Sequence, residues 1–116
     1  MSHDNCIFCK IIAKEIPARV VYEDAHVLAF DDLNPQAPCH VLVIPKKHIT
    51  TANDVVTEDR ERLGQMFIAG QKVAALKGVD ENGFRFVMNT GQDGGQSVYH
   101  IHLHVLGGRP LTWPPG

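Results

Sequence analysis

The sequence lacks the features that would place a protein in or across a membrane. None of its apolar runs approaches the roughly 18 to 20 residues that a membrane-spanning helix needs. The first four residues, Met1 to Asp4, contain neither the basic nor the apolar region of a signal peptide. We therefore expect no membrane partner and a cytoplasmic location.

An excess of positive charge is also absent. Eleven Lys and Arg against thirteen Asp and Glu give a net charge of −2 at pH 7. Because nucleic-acid affinity depends on clustered cations that meet phosphates, we expect no nucleic-acid partner. There are only three cysteines, which cannot all pair within one chain. A reducing compartment is therefore favoured over a disulfide framework.

Internal repeats and linkers are absent as well, and 116 residues amount to one domain. We predict a single domain over residues 1–116. Apolar periodicity predicts helices over residues 6–16 and 57–78. Strands are predicted over residues 19–23, 27–30, 40–45, 84–89 and 99–106. Two helices are too few for a doubly wound parallel sheet, so the order favours an α+β fold with a five-stranded antiparallel sheet.

The second helix is predicted to begin after Thr57, a suitable N-cap, and to end at Gly78. Its buried stripe would contain five apolar residues, Leu63, Met66, Phe67, Val73 and Ala74. Gly64 and Gly70 lower its helix propensity, which suggests positions of close packing.

Histidine is the residue in excess, with seven copies against five Phe and three Met. Three of them, His100, His102 and His104, alternate with apolar residues from Ile101 to Val105. Because successive strand side chains point to opposite faces, we expect three imidazoles on one face and their apolar partners in the core. The alternative is a polar strand face on which the histidines are incidental.

The loop before this strand, residues 89–97, contains Gly91, Gly94 and Gly95. It is neither a dinucleotide-binding fingerprint nor a P-loop, since no helix follows and no Gly-Lys-Ser/Thr closes it. Glycines allow the backbone to approach a ligand closely and to turn N–H groups inward. Alone, such a loop is typical of a simple turn. Beside three aligned histidines, it indicates an oxyanion or phosphate site.

His-x-His-x-His followed by two apolar residues resembles the motif of the histidine triad (HIT) superfamily. Residues 94–109, the ending Trp113 to Gly116 and the segment Asn34 to His48 are similar to its HINT branch, the histidine triad nucleotide-binding proteins. Leu106 differs from the Gln that dinucleoside polyphosphate hydrolases carry there. The third His, His104, differs from the Gln of galactose-1-phosphate uridylyltransferase relatives.

The resemblance implies a purine nucleoside phosphoramidase, which hydrolyses the P–N bond of adenosine 5′-phosphoramidates to AMP and an amine. It implies that His102 is the nucleophile, that it forms a nucleotidyl-histidine, and that His40 supports it as a relay. His104, Ser97 and the N–H groups near Gly95 would bind the phosphate oxygens. No cofactor is needed for this catalysis.

The resemblance also implies a nucleotide-binding set. Asp32 would bind the ribose hydroxyls, and Asn89 would add a phosphate or ribose contact. Gly95, Gln96, Ser97, His102 and His104 would surround the phosphate. The apolar slot for the base would consist of Ile7, Phe8, Ile11, Ile16, Phe30 and Leu33. The alternative for these six residues is ordinary core, and as a slot they would discriminate weakly between adenosine and guanosine.

Cys6 and Cys9 form a C-x-x-C pair near the N-terminus. A redox motif of this kind needs a strand leading into it, and a closed zinc site needs two further ligands. In some HIT relatives a His after the third strand and the first His of the triad complete such a site, which implies His48 and His100 here. We expect a structural zinc ion, with free packed thiols and redox use as alternatives. Cys39 is expected to be a small buried residue.

HINT relatives join two subunits into a ten-stranded sheet, with the C-terminus near the other subunit's site. The resemblance therefore implies a homodimer in which the Trp113 tail influences substrate preference, and dimerisation would cover apolar surface that a short chain leaves exposed. Two rival functions stay open: a dinucleoside polyphosphate hydrolase and a nucleotide-binding adaptor with little turnover. No role is assigned to His3 or His26.

Overall fold

Five strands form one antiparallel sheet in the computed structural model, which describes residues 5–116 and therefore leaves His3 outside the described residues. The strands are β1 (Val20–Glu23), β2 (Val27–Asp31), β3 (Cys39–Pro45), β4 (Phe84–Val87) and β5 (Leu103–Gly107). Their order in the sheet is β1-β2-β3-β5-β4. Helix α1 (Ile7–Ile12) and helix α2 (Arg60–Leu76) complete the fold, which confirms the predicted α+β class.

The central strand β3 is buried on both faces, so its side chains divide the core in two. Val41 and Val43 pack with α2, whereas Leu42 and Ile44 pack with α1 on the opposite face. His40 alternates with Val41 and therefore lies on the α1 face. The register of β3 with β5 pairs Leu42 with His104, which brings the histidines of two neighbouring strands together.

The histidine strand is shorter than predicted, because β5 begins at Leu103 and not at residue 99. Before that point the chain has left the β3 ladder, although the Ile101 N–H still donates to the Ile49 carbonyl at 2.8 Å. The predicted alternation of faces continues through the irregular part. Ile101 and Val105 are fully buried against α2, while His100 and His102 face α1 through contacts with Phe8.

Helix α2 begins at Arg60, two residues after the start that Thr57 as the N-cap would give. Residues Thr57–Asp59 form a separate 3-10 turn, so Thr57 as the N-cap is wrong. The local conformation is determined by Asp59, which is 1% exposed and accepts the Val56 N–H while pairing with Arg62. Helix α1 is also shorter than predicted, because Lys14 adopts a left-handed φ of 65°.

The predicted buried stripe of α2 is wrong at one position, since Phe67 is 53% exposed. Close packing occurs at Gly70, where a Cβ would lie 2.7 Å from the Phe86 ring, but not at Gly64, which has open space around it. Cys39 is buried as expected. Among residues 5–116, neither helix has the length and apolar character that crossing a bilayer would require.

Candidate active site and metal cluster

An open cleft of about 250 Å³ lies between α1 and the exposed part of the adjoining sheet face. Ten residues expected from the sequence line it: Ile7, Phe8, Ile11, Ile16, Phe30, Asp32, Leu33, Ser97, His102 and His104. Six further lining residues were missed: Pro17, Ala18, Arg19, Asp31, Leu42 and Val98. Asn89, Gly95 and Gln96 do not line the cleft. Five of the missed residues follow α1 or flank predicted ones, and Leu42 lies within β3 opposite His104, so no motif identifies them.

His102 is 4% exposed and held in one orientation by the main chain. Its Nδ1 lies 2.8 Å from the carbonyl oxygen of His100. Because a carbonyl oxygen only accepts, Nδ1 carries the proton and Nε2 keeps a free lone pair. This arrangement leaves Nε2 as the nucleophilic nitrogen of a ring that lines the cleft.

His104 has the opposite orientation, determined by a chain of hydrogen bonds. The Gln36 N–H donates to His40 Nδ1 at 3.0 Å, so the proton of the neutral His40 ring lies on Nε2. That Nε2 donates to His104 Nδ1 at 2.8 Å and faces a carboxylate oxygen of Asp32 at 3.4 Å. The proton of His104 is therefore on Nε2, which is buried and has no partner within residues 5–116. An unpartnered buried N–H at a cleft is suited to an incoming acceptor.

The imidazoles of His102 and His104, which line the cleft, and of His40, which lies behind them, are all held in the neutral form. Burial lowers the pKa of His40 and of His102 below the ordinary value. Burial, together with the nearby His102 and His40, lowers the pKa of His104 to about 4. A neutral His102 is a competent nucleophile, and a neutral His104 is a hydrogen-bond donor that adds no positive charge.

The apolar end of the cleft is built around Phe8. Its ring packs edge-on against Phe30 at 5.5 Å and against His102 at 5.2 Å, measured between ring centroids. At the rim, Leu33 is 93% exposed and Ile7 is 46% exposed. Large exposed apolar side chains around a concave apolar wall are typical of a binding slot for a flat ring.

The glycine-rich loop uses its own main-chain donors. The Gly95 N–H donates to the Gln92 carbonyl, and the Gln96 N–H donates to the Gly91 carbonyl. The Gln96 side chain also bridges Gly91, Thr50 and Val98. These bonds form a turn that presents Ser97 at the cleft.

A second cluster lies beside the cleft and contains Cys6, Cys9, His48 and His100, whose ligand atoms all lie within 4.8 Å of one another. Cys6 Sγ is 3.3 Å from His100 Nδ1, and Cys9 Sγ is 3.3 Å from His48 Nδ1 and 3.6 Å from His100 Nδ1. Tetrahedral zinc with bonds of about 2.3 Å to sulfur and 2.0 Å to nitrogen separates these ligands by about 3.5 Å. The donor set and its spacing fit such an ion.

The surroundings of this cluster also fit a metal. His100 Nε2 donates to the Pro45 carbonyl at 2.9 Å, which leaves Nδ1 with its lone pair toward the thiols. Burial, with a contribution from Cys6, raises the pKa of the Cys9 thiol to about 12. Cys6 caps α1 and no strand precedes it within residues 5–116, whereas a thioredoxin-like pair follows a strand, so ligation is favoured over redox use.

Asp32, His40 and His104 also bring ligand atoms within 4.8 Å of one another, but they do not fit a metal. The Gln36 N–H donates to His40 Nδ1, which places a proton on the Nε2 that would have to ligate. A metal-bound His normally donates from its second nitrogen, and here that nitrogen faces another donor. The trio is therefore a hydrogen-bond relay.

The chain resembles several known proteins along nearly its whole length. Residues 13–111 match the family model of the HIT domain. The purine nucleoside phosphoramidase of Escherichia coli strain K12 is 52% identical over 108 residues, which cover 93% of this chain and 91% of that protein. The crystal structure of a HIT family hydrolase from Legionella pneumophila Philadelphia 1 has a TM-score of 0.95 at 58% identity and covers 97% of this chain and 100% of its own.

A more distant solved structure has the same fold. The histidine triad nucleotide-binding protein of Candida albicans has a TM-score of 0.81 at 32% identity, covering 94% of this chain and 82% of its own. The motif, the sheet and these similarities agree, and the chain belongs to the HIT domain family.

Proposed function

We propose that this protein is a purine nucleoside phosphoramidase that hydrolyses adenosine 5′-phosphoramidates to AMP and an amine. The observation that carries the proposal is the bond between His102 Nδ1 and the His100 carbonyl, which leaves a neutral nucleophilic nitrogen in an apolar cleft. The Escherichia coli relative named purine nucleoside phosphoramidase, at 52% identity, supports this choice of substrate.

In the first step, the lone pair of His102 Nε2 attacks the α-phosphorus and the P–N bond to the amine breaks. The leaving amine takes a proton from the Ser97 hydroxyl, which lines the cleft. His104 Nε2–H donates to a non-bridging phosphate oxygen, where charge develops in the transition state. The product of this step is a nucleotidyl group on His102.

In the second step, water attacks the same phosphorus and the P–N bond to His102 breaks, which releases AMP. One proton of the water returns to Ser97, and the lone pair returns to His102 Nε2. The scheme requires only groups of the protein and water, so we propose that catalysis needs no cofactor.

The same cleft would hold the nucleoside. We propose that the purine occupies the slot around Phe8 and Phe30, and that Asp32 accepts from the ribose hydroxyls. Because the Gly95 and Gln96 amides donate inside their loop, we propose that these two residues shape the turn behind Ser97. Asn89 remains a proposed phosphate or ribose contact.

Zinc is the second part of the proposal. Cys6, Cys9, His48 and His100 would hold the ion, which would supply a structural cross-link and no catalytic step. The cross-link would join α1, which carries Phe8, to His100, whose carbonyl orients His102. Because zinc ligation needs reduced thiols, we place the protein in the cytoplasm, in agreement with its cysteine content.

The test is turnover of adenosine 5′-phosphoramidate by His102→Ala. We expect turnover to be lost while AMP binding, measured by calorimetry, persists. The matched control is His26→Ala, because His26 is exposed and lies outside the cleft. Near-normal turnover by His102→Ala, or equal losses in both variants, would contradict the mechanism.

Offering diadenosine polyphosphates and phosphoramidates with different amines to the wild type separates the rival functions. Preferred cleavage of the dinucleotides would favour a polyphosphate hydrolase, which Leu106 argues against. Tight AMP binding with negligible turnover of every substrate would favour a nucleotide-binding adaptor.

We also propose a homodimer with a ten-stranded sheet, because β4 is an edge strand with a pairing side left open. Beside it, an apolar depression of about 300 Å³ is lined by Ala52, Val55, Leu63, Met66, Phe67, Met88 and Leu103. Phe67→Glu should shift the protein toward monomer in analytical ultracentrifugation. Leu76→Glu is the control, because Leu76 is also exposed on α2 but lies outside the depression. A wild-type monomer at assay concentrations would contradict the proposal.

The other partners follow from composition. We propose that residues 1–116 act as one domain, that a purine nucleotide is its substrate, and that it binds neither nucleic acid nor membrane. The net charge of −2 supports this, because local imidazoles and N–H groups can bind one phosphate without a basic surface.

A further inference from the structure

The proton on His104 Nε2 depends on a main-chain group outside the cleft, which acts together with the Asp32 carboxylate that faces His40 Nε2 at 3.4 Å. A hydrogen bond between two imidazoles can run in either direction, and each direction places the protons on different nitrogens. The Gln36 N–H can only donate, so its bond to His40 Nδ1 favours the direction in which His40 Nε2 carries the proton, the same direction that the Asp32 carboxylate favours. If that bond were lost, the reverse direction would turn a lone pair of His104 toward the phosphate oxygens.

Gln36 lies in an exposed loop, which the segment after β5 holds in place. This 32–38 loop joins β2 to β3 and contains neither helix nor strand. The Arg109 guanidinium reaches it from 73 residues further along the chain, with Nε 3.3 Å and Nη2 3.0 Å from the Gln36 carbonyl. Nη1 of the same guanidinium donates to the Pro110 carbonyl at 3.0 Å. The planar guanidinium of Arg109 therefore links the Gln36 carbonyl to the segment after β5, with Nε and Nη2 on Gln36 and Nη1 on Pro110.

Arg109 supplies the hydrogen bonds between the Gln36 carbonyl and the segment after β5, whereas the start of the loop is held by the Asp32 N–H, which donates to the His40 carbonyl at 2.9 Å, and Ala37 is 8% exposed. The Asn34 N–H donates to Asp32 and the Gln36 side chain donates to Asn34, so both bonds remain within the loop. Gly108 packs against Pro38, where a Cβ would lie 2.8 Å from Pro38 Cβ. That contact fixes the end of the loop next to β3, whereas Arg109 holds its middle.

We propose that Arg109 is a positioning residue for catalysis, because it holds Gln36 where its N–H orients the hydrogen bonds of His40 and His104. Arg109 does not line the cleft, and its path to the reacting atoms runs through Gln36, His40 and His104. The effect on turnover rests on the proposed phosphoramidase function, whereas the effect on the imidazole protons does not.

The test compares Arg109→Gln with Arg109→Lys and Arg85→Gln. Arg85 is the matched control, because its Nη2 also donates to main-chain carbonyls near the C-terminus, those of Leu111 and Thr112, but makes no bond to Gln36. Thermal unfolding followed by circular dichroism verifies that each variant is folded.

The first readout is the ¹⁵N chemical shifts of the imidazole nitrogens in histidine-labelled protein, assigned with His104→Asn. In the wild type we expect protonated Nε2 and unprotonated Nδ1 for both His40 and His104. Arg109→Gln should show averaging between the two tautomers, and Arg85→Gln should match the wild type. Wild-type shifts in Arg109→Gln, or equal changes in Arg85→Gln, would overturn the inference.

The second readout is turnover of adenosine 5′-phosphoramidate. Arg109→Gln should reduce kcat roughly tenfold and change KM less. Complete loss of an oxyanion donor reduces kcat by more than tenfold, and in this variant the donor is lost only in part. Arg109→Lys, with one compact cation in place of a fork, should recover part of the loss. If Arg109→Gln changes the tautomer but the wild type has no turnover, the role of Arg109 in positioning the imidazole protons is supported. The proposed phosphoramidase function is then overturned. Unchanged kcat with a changed tautomer would overturn the catalytic part of the inference.

Discussion

Replacing His104 by Asn should reduce the dependence of folding stability on pH. Burial and two neighbouring imidazoles lower the pKa of His104 from 6.5 to about 4 in the folded protein. Between these two pH values the unfolded chain binds a proton that the folded protein does not. Stability is therefore complete above pH 6.5 and is lost as the pH falls toward 4.

The size of the effect follows from this one proton. The slope is at most about 1.4 kcal/mol per pH unit, so the wild type should lose up to about 2 kcal/mol of unfolding free energy through His104 between pH 6.5 and pH 5. The Asn variant does not have this slope. At pH 7.5 it should be less stable by about 1 to 3 kcal/mol, because the replacement removes the acceptor of His40 Nε2–H. The two stabilities should therefore converge as the pH falls.

Urea denaturation at half-unit intervals from pH 7.5 to pH 5 measures this convergence. The difference between the two proteins isolates His104, because other groups that titrate in this range, including the cysteine and histidine cluster, are present in both. His26→Ala provides a second reference, since it removes an exposed histidine. If the stability difference between wild type and His104→Asn is constant over this range, the burial argument is wrong.

Three further predictions concern packing, metal and the tail. Gly70→Ala should lower the unfolding free energy measured by chemical denaturation, because its Cβ would overlap the Phe86 ring. Gly64→Ala should raise it by up to about 1 kcal/mol, because the new Cβ has open space and Ala favours a helix more than Gly does. The opposite order of the two effects would contradict the packing. Cys9→Ser should reduce zinc in metal analysis of untagged protein and lower the thermal midpoint, and wild-type zinc well below one ion per chain would exclude the site. Truncation after Arg109 should change the preference among leaving amines, and an unchanged profile would argue against a role of the tail.

The sequence predicts the elements that have strong local periodicity and misjudges those that depend on distant contacts. Alternation alone places Ile101 and Val105 in the core, and both are fully buried. The start of β5 could not be predicted, because it depends on where β3 ceases to pair with it. Phe67 has the spacing of a buried residue, yet it is 53% exposed. It packs on Phe86 of the edge strand β4, and the periodicity of a helix does not reveal that the neighbouring strand lies at the edge of the sheet.

The resemblance implied that His40 is a relay for His102, whereas its Nε2 bonds to His104, and the direction of that bond was beyond sequence reasoning for a different physical reason. Its directing group is the main-chain N–H of Gln36, which every residue except proline possesses and which therefore leaves no signal in the sequence. The contact of Arg109 with Gln36 joins residues 73 positions apart. Motif spacing identified the imidazoles but could not identify which nitrogen of each carries the proton.

That choice of nitrogen distinguishes three histidines that the sequence presents as equivalent. The Pro45 carbonyl accepts a hydrogen bond from His100 Nε2–H. The lone pair of His100 therefore lies on Nδ1, which faces the thiols of Cys6 and Cys9. The His100 carbonyl accepts a hydrogen bond from His102 Nδ1–H and leaves a lone pair on Nε2, the nitrogen of the proposed nucleophile. His104 instead has a donor behind it, His40, and therefore presents a proton to the cleft. An acceptor behind an imidazole leaves a lone pair on its other nitrogen and a donor leaves an N–H there, so these hydrogen bonds suit the three residues to the three roles proposed for them.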